Sequence, residues 1–362
     1  MAKFRRIGVL TSGGDAPGMN AAVRAITRKA LEQGVEVMGI IGGYSGLIHE
    51  KLVPLDAGSV SNIVMQGGTF LYSDRCLEFK TEEGMQKAMA TCKKYNIDAI
   101  VAVGGDGTFR GATDLSVHGI PTIGVTGTID NDITATDYSV GFDTAMNTVL
   151  DAVDKLRDTC ESHARCNVVE VMGRDCGQIA LLVGIAAGAM SVCIPEVEYD
   201  EAAEIAAIKA AKESGKRSML VLVSEGVFVT DENGNKVPYG EVLRKKIEAE
   251  TGIETKFARL AHIVRGGSPS LRDRLAATKM GVKAVELLLE GKSDLVIIED
   301  NSEIKSMNIR FALTVDRMYK KKLKDGDLDA FTAEEIEEMK AICAKRDAYI
   351  HHLYDMAKAV RR

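Results

Sequence analysis

Three segments that contain glycine together with acidic or hydroxyl side chains each follow a short apolar run. The first is Thr11–Asn20, which reads Thr-Ser-Gly-Gly-Asp-Ala-Pro-Gly-Met-Asn. Glycines let the backbone approach a ligand closely, and a helix that starts after such a turn presents unpaired N–H groups and a partial positive charge. The segment therefore predicts a phosphate-binding turn. Glycine content alone is equally compatible with a tight strand-to-helix turn.

The second segment, Gly104–Thr108, reads Gly-Gly-Asp-Gly-Thr and directly follows the apolar run Ala99–Val103. Ligands of open α/β sheets bind at the carboxyl ends of strands. Asp106 can reach a metal ion there while backbone N–H groups hold phosphate oxygens. NAD kinases and lipid kinases carry the same string, and it lacks the Lys-Ser/Thr ending of a P-loop. By itself it therefore indicates only a kinase-like phosphate site.

Two carboxylates mark the third segment, Gly127–Asp132, which follows the apolar run Thr122–Val125. One of Asp130 and Asp132 can accept the proton of an attacking hydroxyl, and the other can support a magnesium ion. The alternative is a turn rich in Asp and Asn. The position after an apolar strand, together with the two other segments, favours a functional role.

Several basic residues lie next to glycines or predicted strand ends. Arginine matches phosphate oxygens in charge and geometry. Each of these residues taken singly is more often a solvated surface charge, but together they predict a clamp for a dianion in a chain whose net charge is −6. The set comprises Arg75, Arg165, Arg174, His262 and Arg265.

Alternating strand and helix patterns must position these residues. The apolar run Ala99–Val103 suits a strand that is buried on both faces, so we expect an α/β fold with a parallel sheet between helix layers. Helices are predicted at Asn20–Gln33, at Thr144–Asp158 and from a capping box at Thr332 to about Met356. The other predicted strands are Ile7–Thr11, Val35–Ile41, Thr122–Val125, Cys166–Met172, Met219–Ser224 and Asp294–Glu299.

Composition excludes several classes of protein. The 362 residues suggest about two domains, and mixed charges with a mildly negative balance give no reason to expect a nucleic-acid partner. No apolar stretch approaches the ~18 residues of a membrane span, and no signal-peptide pattern is present. The seven cysteines include no Cys-x-x-Cys pair. We therefore expect a cytoplasmic protein that has free thiols and does not associate with a membrane. We expect neither a disulfide framework nor a zinc site.

Taken together, the motifs of this chain resemble those of the bacterial-type, ATP-dependent 6-phosphofructokinases over most of its length. NAD kinases and lipid kinases share only the Gly104–Thr108 string. The segments that carry the resemblance are Thr11–Asn20, 67–71 (Gly-Gly-Thr-Phe-Leu), Gly104–Thr108, Thr128–Asp132, Val169–Arg174, Pro195–Val197 and His262–Pro269.

The resemblance implies a reaction, a fold and an assembly. The reaction moves the γ-phosphoryl group of Mg-ATP to the 1-hydroxyl of fructose 6-phosphate. The fold has two doubly wound, Rossmann-like α/β domains with mainly parallel sheets and an active site between them and across a subunit contact, usually in a homotetramer. Residues 1–140 and about 258–304 would bind ATP, and residues 141–257 and about 305–362 would bind the sugar phosphate and carry the C-terminal helix.

The resemblance also implies a role for individual residues. Magnesium would sit at Asp106, with Asp132 nearby. Asp130 would be the general base, and Thr128, Asp130, Asp132 and Arg174 form the implied catalytic set. The ATP contacts would be Gly14, Tyr44, Arg75, Cys76, Gly105, Asp106, Gly107 and Thr108. The sugar-phosphate contacts would be Thr128, Ile129, Asp130, Arg165, Met172, Gly173, Arg174, Glu225, Lys256, His262 and Arg265, with Arg165 and Lys256 from a neighbouring subunit.

Three alternatives stay open at this point. Pyrophosphate-dependent relatives carry an acid at the position of Gly107 and a lysine at that of Gly127, so glycine at both positions favours ATP. Lys256 stands where the family usually has arginine, and a different sugar phosphate, such as sedoheptulose 7-phosphate, is one explanation. Intact Asp106, Asp130 and Arg174 argue against a catalytically inactive subunit.

The family's usual effector site, which takes ADP and phosphoenolpyruvate, is only partly present. Three positions lack the usual basic or metal-binding residue, so we expect little response to either effector. The matching residues are Arg24, Arg28, Arg157 and Lys216, and the departures are Ala57, Met190 and Ser214.

Overall fold

Two compact units make up the chain in the computed structural model, which describes residues 4–361. The first unit contains residues 4–129, 133–144 and 265–343, and the second contains residues 130–132, 145–264 and 344–361. Each unit has its own sheet, and each helix of the described residues is too short or too polar to cross a membrane.

The strands follow one another along the chain in the order β1 (Arg6–Ser12), β2 (Glu36–Ile40), β3 (Leu52–Leu55), β4 (Ala99–Gly104), β5 (Thr122–Thr126), β6 (Cys166–Val171), β7 (Ser191–Cys193), β8 (Met219–Ser224), β9 (Phe228–Thr230), β10 (Lys236–Pro238), β11 (Thr255–Arg259), β12 (Leu295–Asp300) and β13 (Glu303–Asn308).

The α-helices are α1 (Met19–Glu32), α2 (Gly43–Ile48), α3 (Glu82–Lys94), α4 (Asp106–Val117), α5 (Phe142–His163), α6 (Gln178–Ala186), α7 (Glu201–Glu213), α8 (Tyr239–Thr251), α9 (Leu271–Leu289), α10 (Ile309–Tyr319) and α11 (Ala333–Val360). Short 3-10 helices cover Glu78–Lys80 and Ala261–Arg265.

The first unit is built on a seven-stranded sheet in the order β13-β12-β5-β4-β1-β2-β3. The five inner strands run parallel, and β3 and β13 pair antiparallel at the two edges. Every residue of β4 is buried, as expected for a strand covered on both faces. Helices α1 and α9 pack on each other, and α4 packs on β4 and β5.

The second unit contains a four-stranded parallel sheet in the order β11-β6-β8-β7. Helix α8 packs on β11 and β6, and α6 packs on β7 and β8. The separate hairpin β9–β10 is antiparallel. Two mainly parallel sheets with packed helices confirm the predicted α/β fold class.

The predicted elements are found close to their expected limits. Each apolar run predicted as a strand is a strand, and the helix predicted at Asn20–Gln33 is α1. The capping box at the start of α11 is formed: the Thr332 N–H donates to Glu335 Oε2 over 2.8 Å, and the Glu335 N–H donates to Thr332 Oγ1 over 3.2 Å. Helix α11 continues to Val360, beyond the predicted end near Met356.

The structure differs from the predicted domain limits over residues 305–343. The sequence placed this stretch with the second unit, whereas it belongs to the first. The reason is strand pairing: β13 pairs with β12 over six residues, and α10 then packs on α4. Which substrate each unit binds stays a prediction.

Candidate active site

In the first unit, the first two segments and the start of the third, Gly127–Ile129, leave the same edge of the sheet. Their preceding strands, β1, β4 and β5, are parallel neighbours, so their carboxyl ends lie side by side. The Thr108 hydroxyl donates to the Ser12 carbonyl over 2.9 Å, and the Gly127 N–H donates to the Gly104 carbonyl over 2.9 Å. The three segments therefore lie close together where they leave the sheet.

The first segment forms a tight turn before α1. Gly18 caps the helix in a left-handed conformation (φ 106°), and a Cβ atom there would lie 2.6 Å from Val140 Cγ1. The guanidinium of Arg265 crosses this turn: Nη1 donates to the Asp15 carbonyl over 3.1 Å and lies 2.8 Å from where a Cβ of Gly14 would be. Two residues predicted to bind different substrates, Gly14 and Arg265, are thus neighbours.

The second segment ends at the N-terminus of α4. Its N-cap, Gly105, has no side chain to pair with the first N–H groups, and a Cβ at Gly107 would have no heavy atom within 4 Å. This helix start therefore faces open space and can take a phosphate group. Gly104 is held by close packing, since a Cβ there would lie 2.3 Å from the Thr108 Oγ1 atom.

Asp106 is the carboxylate beside this helix start. It pairs with Arg110, whose Nη2 lies 2.7 Å from Asp106 Oδ2. Residues 4–361 contain no group of three His, Cys, Asp or Glu side chains that could hold a metal ion. Magnesium often binds through one or two carboxylates together with phosphate oxygens and water. A single accessible carboxylate next to a phosphate site fits a magnesium ion that arrives with a nucleotide.

Tyr44 supports the second segment from behind. Its side chain is 5% exposed, stacks on Phe79 at 4.2 Å, and donates its hydroxyl to the Thr108 carbonyl over 2.5 Å. Burial raises the pKa of this phenol far above its ordinary value. The structure thus shows Tyr44 packed beneath α4, so the predicted contact with ATP is limited to its small exposed part.

Arg75, which is exposed, and Cys76, which is half-buried, follow Ser73. The Ser73 hydroxyl donates to the Gly13 carbonyl over 2.6 Å, which ties this stretch to the first segment. A cavity of about 550 Å³ opens at the junction. Its lining residues are Gly13, Asp15, Ile41, Gly42, Lys51, Thr69, Tyr72, Ser73 and Asp74.

The third segment begins in the first unit with Thr128 and Ile129. The Thr128 carbonyl accepts the Ser139 hydroxyl over 2.7 Å, and the side chain is nearly buried. Ile129 is fully buried, and its contact with a substrate stays a prediction.

In the second unit, the Asp130 carboxylate meets the Arg174 guanidinium. Asp130 is 1% exposed and Arg174 is 54% exposed, with Nε 3.2 Å from Oδ2. Glu225 Oε1 accepts the backbone N–H groups of Gly173 and Arg174 over 3.3 and 3.1 Å. These residues follow the adjacent strands β6 and β8, which bring them together. Met172, the first residue after β6, is buried.

A second basic cluster lies where β6 and β11 begin. Glu254 forms ion pairs with two residues that are predicted to bind the 6-phosphate. Its Oε2 lies 2.7 Å from Arg165 Nε, and its Oε1 lies 2.8 Å from Lys256 Nζ. The hydrogen bonds from Arg165 and then Lys256 lower the pKa of Glu254 to about 2. The sequence analysis did not name Glu254, although it predicted that both partners, Arg165 and Lys256, bind the sugar phosphate. His262 is exposed on the 3-10 helix that follows β11.

The residues of the predicted effector site make contacts within their own unit. Arg28 donates to the Ala57 carbonyl over 3.2 Å, and the Lys216 ammonium lies 3.1 Å from Met190 Sδ. Arg157 donates to the Ala187 carbonyl. The expected weak response to effectors stays a prediction.

The model of the family described as Phosphofructokinase matches residues 6–288, which is more than half of the chain. The chain belongs to the phosphofructokinase family. The ATP-dependent 6-phosphofructokinase of Bacillus subtilis (strain 168) is 53% identical over 301 residues, which cover 83% of this chain and 91% of that relative.

Solved phosphofructokinase structures share the fold. The structure of phosphofructokinase from Saccharomyces cerevisiae superposes with a TM-score of 0.83 at 30% identity; it covers 97% of this chain, which spans about half (49%) of the yeast chain. A pyrophosphate-dependent phosphofructokinase from Marinobacter aquaeolei superposes with a TM-score of 0.73 at 22% identity, over 84% of this chain and 83% of that one. At 22% identity, the likeness to the Marinobacter aquaeolei structure concerns the fold alone. The fold by itself therefore does not identify the phosphoryl donor.

Asp273 anchors residues 138–144, which lie against the third segment, Gly127–Asp132. Its buried carboxylate accepts the Tyr138 hydroxyl, the N–H groups of Gly141 and Thr144 over 2.6 and 2.8 Å, and the Thr144 hydroxyl over 2.5 Å. Burial raises the pKa of Asp273, and these donors oppose that shift. Nothing in the sequence pattern singled this residue out.

Asp273→Asn should lower the midpoint of thermal unfolding. Whichever way the amide turns, its NH₂ group faces two donors, and an unsatisfied buried polar group costs about 1–3 kcal/mol. Tyr138→Phe is the matched control, because it removes one donor and leaves the carboxylate intact. Differential scanning calorimetry should show the larger loss for Asp273→Asn. An unchanged midpoint in that variant would contradict the anchoring role.

Proposed function

We propose that this chain transfers the γ-phosphoryl group of Mg-ATP to the 1-hydroxyl of fructose 6-phosphate, giving fructose 1,6-bisphosphate and ADP. The observation that carries the proposal is the open N-terminus of α4 at Gly107, with the Asp106 carboxylate beside it. The 53% identity to a relative named as an ATP-dependent 6-phosphofructokinase supports the same donor and acceptor.

On the nucleotide side, the N–H groups at the start of α4 and the turn at Gly14 would hold the phosphates. Arg75 and Cys76 would contact the nucleotide. Magnesium would be held at Asp106 and, when bound, would neutralise charge that develops on the transferring phosphoryl group. The exposed positions of Arg75 and Gly107 leave room for the rest of ATP.

On the sugar side, Asp130 would accept the proton of the 1-hydroxyl as that oxygen attacks the γ-phosphoryl in line. Thr128 would bind near the same hydroxyl, and Asp132 would lie near the magnesium. Arg174 is held beside Asp130 by its ion pair and would stabilise the charge of the transferring group. No covalent phosphoenzyme is needed in this scheme.

The other residues that are predicted to contact the substrate would bind the sugar and its phosphate. Met172, Gly173 and Glu225 would hold the sugar, whereas four basic residues would surround the 6-phosphate. Those four are Arg165, Lys256, His262 and Arg265. A homotetramer in the cytoplasm, with Arg165 and Lys256 donated across a subunit contact, completes the proposal, which involves neither nucleic acid nor a membrane.

Asp130→Asn should lower kcat by about 10²- to 10⁴-fold while fructose 6-phosphate still binds, because an amide cannot take the proton. Asp137→Asn is the matched control: Asp137 lies in the same stretch but is exposed, and it should keep most of the rate. Turnover measured with a coupled assay and sugar affinity measured by calorimetry separate the two effects. A mutant with half the wild-type rate would remove Asp130 from this role.

Gly107→Asp should impair the use of ATP, since a carboxylate about 4 Å from the α-phosphate costs about 4 kcal/mol at an effective dielectric of about 20. Gly107→Asn supplies the same shape without the charge and should be affected less. The measurement is kcat/KM with ATP and with pyrophosphate for each protein. Equal values for ATP in the wild type and Gly107→Asp would overturn this account of donor choice.

Lys256→Arg should tighten the binding of fructose 6-phosphate by about 10- to 100-fold, the equivalent of one charge-assisted hydrogen bond. Arginine has a second N–H direction to offer the phosphate while it keeps the pairing with Glu254. Lys256→Gln, which loses the charge, should weaken binding. If the arginine variant raises KM instead, the pocket is built around lysine, and sedoheptulose 7-phosphate should be compared as the substrate.

A further inference from the structure

A buried arginine on the last helix contacts the third segment, Gly127–Asp132. Arg346 belongs to α11 and is 8% exposed, although most arginines lie at protein surfaces. It lies outside residues 6–288, which the family model matches. Burying a guanidinium is costly unless its N–H groups are paired, so its partners indicate what the residue does.

The guanidinium connects two other segments of the second unit. Its Nη2 donates to the backbone carbonyl of Asn131. The Gln178 amide lies beside it, and with its oxygen turned towards the guanidinium that oxygen is 3.0 Å from Nε, 3.2 Å from Nη1 and 2.8 Å from Nη2. Since Gln178 is the first residue of α6, Arg346 ties the Asn131 peptide to a helix.

Asn131 separates the two carboxylates of the third segment. It is fully buried in a left-handed conformation (φ 48°), which asparagine tolerates better than most residues. Rotation of the peptide on either side of such a residue would redirect the flanking Asp130 and Asp132 side chains. A hydrogen bond to the Asn131 carbonyl opposes that rotation.

We propose that Arg346 is a positioning residue for phosphoryl transfer: it holds the Asn131 peptide so that Asp130 keeps the direction in which it accepts the sugar's proton. The proposal rests on the proposed role of Asp130. It gives α11, which carries no catalytic motif of its own, a part in catalysis. Arg346 acts through the backbone and contacts no substrate.

The test compares Arg346→Ala with Arg361→Ala in the full chain. Arg361 is the matched control, because it also fastens α11 to the second unit, through an ion pair of 2.6 Å with buried Glu204. Arg346→Ala should lower kcat by about 10- to 100-fold, the scale of a small misplacement of a catalytic group, with KM for both substrates nearly unchanged. Arg361→Ala should reduce stability and leave kcat near that of the wild type.

Two further arms separate positioning from general destabilisation. In an Asp130→Asn background, Arg346→Ala should cause little additional loss of kcat, because residues that act as a unit are not additive. Arg346→Lys, which keeps a charged donor, should recover part of the rate. It also serves as the test variant if Arg346→Ala does not fold.

Hydrogen–deuterium exchange tests the proposed role of Arg346 without a measurement of turnover. Peptides covering residues 129–133 should exchange faster in Arg346→Ala than in Arg361→Ala. If the wild type does not phosphorylate fructose 6-phosphate, the proposed function fails, while the exchange result still decides whether Arg346 holds the segment. Unchanged exchange, or equal loss of kcat with and without Asp130, would overturn the positioning role.

Discussion

The side-by-side pairing of β1, β4 and β5 is the constraint on which the rest of the first unit depends. Because the three strands are parallel neighbours, the segments that follow them must leave one sheet edge together. There is little free volume where they meet: a Cβ at Gly104 would lie 2.3 Å from Thr108 Oγ1 and 2.4 Å from the Ser12 carbonyl. Glycine at this position lets the segments approach each other this closely.

Several of the charges that are proposed to bind a substrate already have a partner within their own unit. Asp106 pairs with Arg110, and Asp130 pairs with Arg174. Glu254 holds both Arg165 and Lys256. Since the net charge of the chain is −6, local pairing of this kind keeps basic groups oriented for anions in an acidic protein. A phosphate that bound at these residues, as proposed, would exchange or share their existing ion pairs, which favours ligands with the matching geometry.

Much of the fold could be predicted from the sequence, because its signals are local. Continuous apolar runs marked the strands, and the Thr332–Glu335 spacing marked the start of α11. The three segments of the candidate site could be located because glycine and Asp next to strand ends are typical of phosphate and metal binding. The placement of residues 305–343 could not be predicted, because it depends on the pairing of β13 with β12, and an edge strand has no pattern that names its neighbour.

The parts of the site that escaped prediction depend on contacts between distant parts of the chain. Tyr44 stacks on Phe79 beneath α4, a contact that no local sequence pattern indicated, and its contact with the nucleotide stays a prediction. Glu254 pairs with Arg165 and Asp273 accepts hydrogen bonds from residues 138–144, all far away in sequence, and Arg346 reaches Asn131 across 215 positions. A single acidic or basic residue on a helix or strand carries no local signal of such a role.

The central claim is that the chain moves a phosphoryl group directly from ATP to the sugar hydroxyl, with positioning and charge in place of a covalent intermediate. The stereochemical course at phosphorus tests this most directly, with ATP made chiral at the γ-phosphorus by oxygen isotopes and fructose 6-phosphate as acceptor. A single in-line transfer predicts inversion of configuration at the phosphate on the 1-hydroxyl. Retention would require two successive transfers through a phosphoenzyme and would contradict the account.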